Sequence, residues 1–392
     1  MRLLHTGDLH LGKIFFEQSL IPDQQHMLNQ LLQEIEAAEK QDNNFDALII
    51  AGDIYDRAVP PPEAVALFDN FITEAKNKFP KLTIIIISGN HDSSRRLSFA
   101  SRILSNQNIH IVADVDSITK PIILKKDQET ELAIYAIPFL QTGSFGKDFL
   151  RQQEMIQEAI NKILFHKKNN YPNTPAMLCA HLFTKQGKPS DSERIFIGSA
   201  EQVDSSIFKD FTYVALGHLH RCQNPSHNIW YSGSPLAYSF DEAGEDKFFL
   251  DVTIDLQKEP SVDVKKLLVK PIRPVIRLTG NFEDFYRPKN NNIDYKNAIL
   301  EIISTDSTLI ENPMARLKPI YPNLLSFRQE KINFSSNNES IKHRKELLQD
   351  NKLATEKLFA SFIQDIYGYI PEYYEQEKDL FLEIASKKED QE

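Results

Sequence analysis

Aspartate, asparagine and histidine recur in five short motifs of this sequence. In chain order they are Gly7-Asp8-Leu9-His10, Gly52-Asp53-Ile54-Tyr55-Asp56, Gly89-Asn90-His91-Asp92, Ala180-His181 and Gly217-His218-Leu219-His220. Two of the motifs place their polar residues at i and i+2, a spacing that points both side chains the same way on an extended segment. Carboxylate, amide and imidazole ligands without a thiolate suit borderline divalent ions such as Mn²⁺, Fe²⁺, Co²⁺ or Zn²⁺ better than an all-oxygen calcium cage. The motifs together therefore predict a centre for a pair of divalent cations.

A pair of cations suits the hydrolysis of a phosphodiester, which is an anion with a poor leaving group. Two cations about 3.5–4 Å apart can bind a bridging water, lower its pKa and neutralise charge on the phosphoryl oxygens. A histidine on the leaving side can then act as a general acid, commonly contributing about 10²–10⁴-fold.

The elements that must position these motifs alternate between strand-like and helix-like patterns over residues 1–270. Short aliphatic runs predict strands, and four of the five motifs directly follow such a run; the runs are Asp46–Ala51, Leu82–Ile87, Leu132–Ile137, Ala176–Ala180 and Tyr213–Leu216. Helical spacings lie between them, as in Met27, Leu31 and Ile35 or in Ile156, Ile160 and Ile163. This pattern is typical of an α/β fold with sheets buried on both faces and ligands bound at the strand ends.

The remainder of the chain divides into two further segments. Two prolines in Lys270-Pro271-Ile272-Arg273-Pro274 predict a boundary, and residues 271–335 are expected to form a small α+β domain. A polar linker follows, and residues 340–392 are expected to form a helical hairpin whose second helix carries Tyr373, Leu380 and Phe381 on or beside one face. Two interpretations stay open: the hairpin packs on its own body, or its aromatic face docks on a partner.

Composition excludes several classes of protein. With 41% hydrophobic and 26% charged residues the chain is neither disordered nor fibrous. Its longest aliphatic run is far shorter than the roughly 18 residues needed to span a bilayer, and Asp8 and His10 interrupt any signal peptide. Two cysteines favour a reducing compartment, so a soluble cytoplasmic protein without membrane contact is expected. The net charge of −10 gives no positive signal for nucleic acid.

In the order and spacing of all five motifs the sequence resembles the calcineurin-like metallophosphoesterases. The resemblance implies a four-layer α/β sandwich, with two mixed sheets flanked by helices, and a dinuclear metal centre. It assigns Asp8, His10 and His220 to the first metal, Asn90, His181 and His218 to the second, and Asp53 to a bridge between them. It leaves His91 as the catalytic residue that reaches the substrate phosphate or the leaving oxygen.

Within that superfamily, residues 1–245 resemble the nuclease subunits of bacterial complexes with coiled-coil ATPases. The resemblance rests on Met1 to Gly12, on Pro60-Pro61-Pro62 after the second motif, on Tyr213 to His220 and on Tyr231 to Phe240. It implies a Mn²⁺-dependent enzyme that degrades double-stranded DNA ends as an exonuclease, and cuts hairpins and single strands as an endonuclease. It also implies a homodimer within a heterotetramer, a DNA-contacting cap at 271–335, ATPase binding through 340–392, and association with the nucleoid on DNA. Aspartate at Asp56 follows the bacterial pattern, because archaeal and eukaryotic relatives carry histidine there.

Several residues near the motifs keep two interpretations each. Asp56 is either a turn residue or a support for a ligand, and Asp92 is a candidate for orienting the His91 imidazole. Arg57 and Arg95, together with Arg96, are either solvated cations or phosphate contacts. Cys179 and Cys222 each lie two residues from a ligand candidate. They are either small buried residues or thiols that make the site sensitive to oxidation.

Two other functions fit the sequence less well. A phosphomonoesterase or cyclic-nucleotide phosphodiesterase of the same fold is supported by Gly-Asp-x-x-Asp-Arg, but it does not account for the 120 or so residues after Lys270. A scaffold that has lost catalysis typically lacks ligands, and here all seven ligand candidates are present.

Overall fold

The structure is a computed structural model that describes residues 1–126, 130–190, 202–258, 261–287, 295, 297–330, 359–360, 363 and 374–389. The chain forms two compact units, Met1–Ile276 with Asn297–Ile299 and Arg277–Lys296 with Leu300–Glu392. Within the described residues no helix has the length and apolar composition needed to cross a membrane.

The first sheet of the larger unit is mixed. Its six strands lie in the spatial order β16 (Val262–Val269), β15 (Lys247–Ile254), β1 (Arg2–Thr6), β4 (Ala47–Ile50), β5 (Thr83–Ile87) and β6 (Ile109–Val112). Within this sheet β1, β4, β5 and β6 run parallel, whereas β15 pairs antiparallel with both β1 and β16. All four residues of β4 are buried, as expected for a parallel strand covered on both faces.

The second sheet is also mixed and has six strands. In spatial order they are β13 (Gln223–Ser226), β14 (Ile229–Tyr231), β12 (Val214–Gly217), β9 (Ala176–His181), β8 (Thr130–Ile137) and β7 (Ile122–Lys126). The four central strands run parallel, and the two outer strands pair antiparallel with their neighbours. Short strand pairs add β2 (Ile14–Phe15) with β3 (Gln18–Ser19), and β10 (Phe183–Thr184) with β11 (Gln202–Val203).

An apolar core joins the two sheets face to face. Leu3, Ala47 and Ile49 of the first sheet pack in one cluster with Met177 and Ala215 of the second. Helices then cover the outer faces; their bounds are α1 (Ile21–Lys40), α2 (Pro62–Lys78), α3 (Ser94–Leu97), α4 (Ser101–Leu104) and α5 (Gln152–Asn170). The stripe of Ile156, Ile160 and Ile163 on α5 is buried against the second sheet. The predicted α/β sandwich of two mixed sheets flanked by helices is confirmed, and so are the predicted strands.

The smaller unit is α+β in character. Its sheet has the strand order β17 (Val275–Gly280), β18 (Ile299–Ser304) and β19 (Leu324–Gln329), and its helices are α6 (Phe282–Tyr286), α7 (Pro313–Leu317) and α8 (Tyr374–Glu389). Glu301 of β18 is fully buried, and its carboxylate accepts hydrogen bonds from Arg277, Ser326 and Arg328.

The predicted hairpin is described only in part. Most of its predicted first helix and the polar linker before it lie outside the described residues, whereas α8 corresponds to the predicted second helix. On α8 the ring of Phe381 stacks on that of Phe359 with centroids 4.6 Å apart. The division of the chain at 270/271 and at 335/340 stays a prediction.

Candidate metal centre

All five motifs lie at the carboxyl ends of parallel strands of the larger unit. Asp8 and His10 follow β1, Asp53 follows β4, Asn90 and His91 follow β5, His181 ends β9, and His218 and His220 follow β12. Several of these residues have left-handed backbone conformations, with φ of 51° at Asp8, 44° at His10, 49° at Asp53 and 103° at His218. Such conformations each cost about 1–3 kcal/mol in a non-glycine residue and cluster at functional sites. The loops are therefore held in strained conformations that turn the polar side chains toward one another.

The carboxylate of Asp53 lies between the two sets of ligand candidates. Its Oδ2 atom is 3.7 Å from Nε2 of His10 and 3.4 Å from Nε2 of His181. Its Oδ1 atom accepts a 2.9 Å hydrogen bond from the backbone N–H of His91, which fixes the plane of the carboxylate. One oxygen is thus fixed by the third loop while the other faces histidines from both sheets.

Three side chains converge on one side of Asp53. Oδ1 of Asn90 lies 3.0 Å from Nε2 of His181 and 3.0 Å from Nδ1 of His218. The other ring nitrogen of His181, Nδ1, donates to the carbonyl of Ala51 at 2.8 Å. In the neutral imidazole that bond leaves Nε2 as an acceptor, so two acceptor atoms of His181 and Asn90 face each other, as ligands of a shared cation do.

On the other side of Asp53, His10 and His220 meet with their Nε2 atoms 3.1 Å apart. Nδ1 of His10 lies 3.5 Å from Oδ1 of Asp56, and Nδ1 of His220 lies 3.4 Å from Oε1 of Glu242. A carboxylate on Nδ1 favours the tautomer with its proton on that nitrogen, which leaves both Nε2 atoms as acceptors. These residues therefore fit a divalent cation, and two groups that include Asp53 have their ligand atoms within 4.8 Å of one another: His10, Asp53 and His91, and Asp8, Asp53 and His181.

Contacts between the two sheets bring the ligand candidates together. The Asp8 carboxylate accepts the backbone N–H of His218 at 2.9 and 3.1 Å. A Cβ at Gly52, where φ is +92°, would lie 2.2 Å from Nδ1 of His181, and a Cβ at Gly217 would lie 1.8 Å from the carbonyl oxygen of Ala51. Glycine is thus required at both positions for the Ala51–His181 hydrogen bond to form.

Burial and neighbouring charges shift the pKa values of the buried groups in different directions. Burial lowers the pKa of His10 to about 4 and that of His218 to about 3, so both imidazoles are neutral at pH 7. Burial opposes ionisation of Asp53, but His181 and His10 outweigh it and hold the pKa of that carboxyl well below its usual range. Burial likewise opposes protonation of His181, but Asp53 and Asp8 outweigh it and raise the pKa of this histidine to about 9.

His91 stands beside this centre and is oriented by Asp56. Its Nδ1 donates to the backbone carbonyl of Asp56 at 2.9 Å, and its ring packs edge-on to that of His10 with centroids 4.8 Å apart. The Asp56 carboxylate contacts Nζ of Lys13 at 2.9 Å, and His10 and Lys13 outweigh burial to lower its pKa to about 2. Asp56 therefore supports two of the predicted site residues, one through its side chain and one through its backbone.

The Asp92 carboxylate connects two loops of the site by accepting backbone hydrogen bonds. Its carboxylate accepts backbone N–H groups of Ile54 at 3.1 Å, Tyr55 at 3.0 Å and Gly89 at 2.9 Å. These bonds tie the loop after β4 to the loop after β5. The Asp56 carbonyl contacts Nδ1 of the His91 ring, and orientation of this ring by Asp92 stays a prediction.

The arginine candidates lie at the surface. The side chain of Arg57 is 70% exposed, and its Nε is 3.8 Å from Oδ2 of Asp56, which places it next to the centre. Arg95 is exposed on α3, and none of its described contacts reaches a ligand candidate. Arg96 reaches the carbonyl of Ala58 at 3.5 Å.

The two cysteines are free thiols. Burial raises the pKa of Cys179 well above its ordinary value, and burial also raises the pKa of Cys222. Because the thiolate is the reactive form, these shifts favour the interpretation as small packing residues over oxidation-sensitive thiols.

Two residues that sequence reasoning missed support the first set of ligands. Glu242 is fully buried beside His220, and Lys247 contacts Glu242. Glu242 lies 22 residues beyond His220 in a segment without periodicity. The sequence offers one indication of its role, a carboxylate and a lysine near a stretch of small polar residues.

Comparison with known proteins is consistent with this geometry. The sequence profile of the calcineurin-like phosphoesterases matches residues 1–222. Over 363 residues the chain is 33% identical to the SbcD subunit of the nuclease SbcCD from Staphylococcus epidermidis, with 92% of each chain covered. Over 372 residues it is 32% identical to the SbcD subunit of the same nuclease from Staphylococcus saprophyticus, with 94% of each chain covered.

Proposed function

Because the chain belongs to the calcineurin-like phosphoesterases and, within them, to the SbcD-type subunits, we propose that it is a metal-dependent DNA nuclease that hydrolyses phosphodiester bonds. The observation that carries this proposal is the position of Asp53, whose Oδ2 lies within 4 Å of imidazole nitrogens from both sheets. A carboxylate oxygen that faces two sets of ligand candidates can bridge a pair of cations, and such pairs activate water for phosphodiester hydrolysis.

The proposed ligands form two sets that share Asp53. Asp8, His10 and His220 would hold the first cation, and Asn90, His181 and His218 would hold the second. The first set is supported by the 3.1 Å distance between the Nε2 atoms of His10 and His220. The second set is supported by the contacts of His181 and His218 with Oδ1 of Asn90. Mixed imidazole and oxygen ligands suit several divalent ions, and among them we propose Mn²⁺ as the physiological ion because the resemblance to bacterial nuclease subunits implies it.

When bound, the two cations would supply an activated water and neutralise charge on the phosphate. The protein side chains would orient the substrate and supply a proton to its leaving oxygen. Nδ1 of His91 donates to the Asp56 carbonyl, so a substrate would meet Nε2. In the imidazolium form Nε2 also carries a proton, and this proton can pass to the leaving oxygen. Arg57, next to Asp56, and Arg95, on α3, are proposed contacts for backbone phosphates.

The relatives named above are subunits of the SbcCD nuclease, and we propose the same assembly for this chain. In it, the chain acts as an ATP-dependent double-strand exonuclease and a single-strand or hairpin endonuclease, in DNA repair, recombination and replication. Residues 271–335 would contact DNA, residues 340–392 would bind an SbcC-type ATPase, and two copies would pair within a heterotetramer. The proposed location is the cytoplasm, at the nucleoid when DNA is bound.

Cleavage of an end-labelled DNA hairpin tests this function directly. We expect the purified chain to cut it with Mn²⁺, more rapidly with the ATPase and ATP, and we expect no cutting by Asp53→Ala. A parallel assay with bis(4-nitrophenyl) phosphate and 4-nitrophenyl phosphate separates a diesterase from a monoesterase. Hydrolysis of the monoester alone, with no DNA cleavage in either mixture, would replace a nuclease by a phosphomonoesterase of the same fold.

A further inference from the structure

A buried ion pair lies directly behind the first set of proposed ligands. Glu242 is fully buried, and the side chain of Lys247 is 8% exposed. The Lys247 ammonium contacts Oε2 of Glu242, and Oε1 of the same carboxylate lies 3.4 Å from Nδ1 of His220. The three groups thus form one chain of contacts that ends on a proposed metal ligand.

The lysine also links the two sheets. Lys247 begins β15 of the first sheet, and its Nζ donates to the backbone carbonyl of His220, in the loop after β12 of the second sheet, at 3.0 Å. A further contact at 3.3 Å reaches Oγ of Ser234, so all three N–H groups have acceptors. The backbone of His220 is therefore held by Lys247 and its ring faces Glu242.

The carboxylate is fixed by more than the lysine. Oε1 of Glu242 accepts the Ser239 hydroxyl at 3.0 Å and the backbone N–H of Tyr238 at 3.4 Å, while Oε2 accepts the Ser234 hydroxyl at 3.3 Å. A carboxylate fixed in this way beside Nδ1 is the partner that metal-ligating histidines commonly have.

We propose that Glu242, held by Lys247, is a positioning residue that orients His220 so that its Nε2 faces His10. This inference rests on the proposed metal centre and adds a residue to it. Without the carboxylate, the His220 ring would lose the contact that favours its tautomer, whereas the His220 carbonyl would keep its bonds from Lys247 and from the N–H of Ser234.

Metal titration of the full-length chain tests this role. Calorimetry with Mn²⁺ on the metal-free protein should show two ions in the wild type. Glu242→Gln should weaken the ion held by Asp8, His10 and His220 by about 10–100-fold, as loss of such a partner typically does. Electron paramagnetic resonance should then show isolated Mn²⁺ in the variant at an ion concentration that gives a coupled pair in the wild type.

A double variant separates orientation from stability. Glu242→Gln leaves Lys247 as an uncompensated buried charge, whereas Glu242→Gln/Lys247→Met removes both charges, a replacement that is often close to neutral for folding. We expect the double variant to recover thermal stability while its first ion stays about 10–100-fold weaker. Recovery of metal affinity together with stability would overturn the proposal and leave a purely structural ion pair.

Two further variants complete the design. Glu242→Asp keeps the charge beside Lys247 but withdraws the carboxylate from His220, so metal affinity should fall in a protein that retains the pair. Asp251→Asn, on the same strand, breaks the 2.9 Å ion pair with Arg2 and should leave both ions bound as in the wild type. A wild type that binds fewer than two ions would refute the metal centre itself, whereas two ions unaffected by Glu242→Gln would refute only the role of Glu242.

Discussion

Nε2 of His181 and Oδ1 of Asn90 lie 3.0 Å apart, and each offers a lone pair when the imidazole is neutral. The His181 ring cannot turn to avoid this contact, because its Nδ1 is fixed on the Ala51 carbonyl at 2.8 Å. Such a pair is stable only with a proton or a cation between the two atoms. Burial opposes protonation of His181, but Asp53 and Asp8 outweigh it and raise its pKa to about 9, so without a cation the proton takes this position.

We predict from this contact that Mn²⁺ stabilises the folded chain and that Asn90→Leu removes about half of the effect. Ion at a hundred times its dissociation constant adds about 2.7 kcal/mol per site to the free energy of unfolding. Urea denaturation with and without Mn²⁺ measures that increment in each variant. Asn29→Leu, on the exposed face of α1, is the matched control and should retain the full increment. An undiminished increment in Asn90→Leu would remove this residue from the ligand set.

The position of His91 gives a second prediction, since its ligand atom lies as close to His10 and Asp53 as a metal ligand would. We expect His91→Asn to keep both ions and to slow DNA cleavage by about 10²–10⁴-fold, because a proton donor is lost and the centre is not. Mn²⁺ content by mass spectrometry, measured beside the cleavage rate, checks this. Loss of one ion in His91→Asn would instead identify this histidine as a ligand.

The sequence predicted the strands, the sandwich and the gathering of the motifs because these depend on local patterns. Apolar runs such as Leu82–Ile87 have few ways to be buried, and residues that follow parallel strands meet at one sheet edge. That geometry now brings Asp8, Asp53 and His181 into one group.

Contacts between distant segments could not be predicted in this way. Glu242 reaches His220 through a turn whose conformation depends on Ser234, Ser239 and Lys247, and no periodicity marks it. The adjacency of Asp92 to His91 in sequence suggested a contact, yet a carboxylate that follows the third motif can also satisfy the N–H groups of Ile54 and Tyr55 on the neighbouring loop. Because those backbone N–H groups are buried, they need an acceptor, and the Asp92 carboxylate supplies it.

A third prediction concerns Arg57, which is exposed beside Asp56. We expect Arg57→Ala to raise the KM for DNA severalfold with little change in kcat, and to reduce the slope of log affinity against log salt by about one. Cleavage kinetics at about 50 and 200 mM salt measure both quantities. Lys162→Ala, on α5, is the control cation and should change neither. An unchanged KM and salt slope in Arg57→Ala would mean that Arg57 is an ordinary solvated cation.

The proposed contact with the ATPase gives a fourth prediction. Leu380 on α8 is 58% exposed, next to Phe381. Leu380→Lys should abolish co-purification with the ATPase, because a charge would be buried in an apolar interface, while Mn²⁺-dependent hydrolysis of bis(4-nitrophenyl) phosphate stays as in the wild type. Asp379→Lys introduces the same side chain at the neighbouring exposed position and should have a smaller effect. Full ATPase binding by Leu380→Lys would exclude this face of α8 from the interface.

The fifth prediction is a dependence of folding stability on pH that arises at His5, away from the metal ligands. His5 is fully buried on β1, its Nδ1 lies 3.0 Å from the Tyr213 hydroxyl, and burial lowers its pKa to about 3. Below about pH 6.5 the unfolded chain binds a proton at this histidine that the folded chain does not. Its contribution to stability is therefore complete above about pH 6.5 and is lost, at up to about 1.4 kcal/mol per pH unit, as the pH falls toward about 3.

His5→Gln, which keeps a partner for Tyr213, should make the acid limb shallower by about one proton in metal-free protein. Urea midpoints between about pH 7 and pH 4 in the presence of a chelator measure the slope. Tyr213→Phe keeps the imidazole and removes only the hydrogen bond, so this variant should lose stability without losing the slope. Neither substitution alters a proposed metal ligand, so equal slopes in wild type and His5→Gln would show that His5 is protonated in the folded state at acid pH.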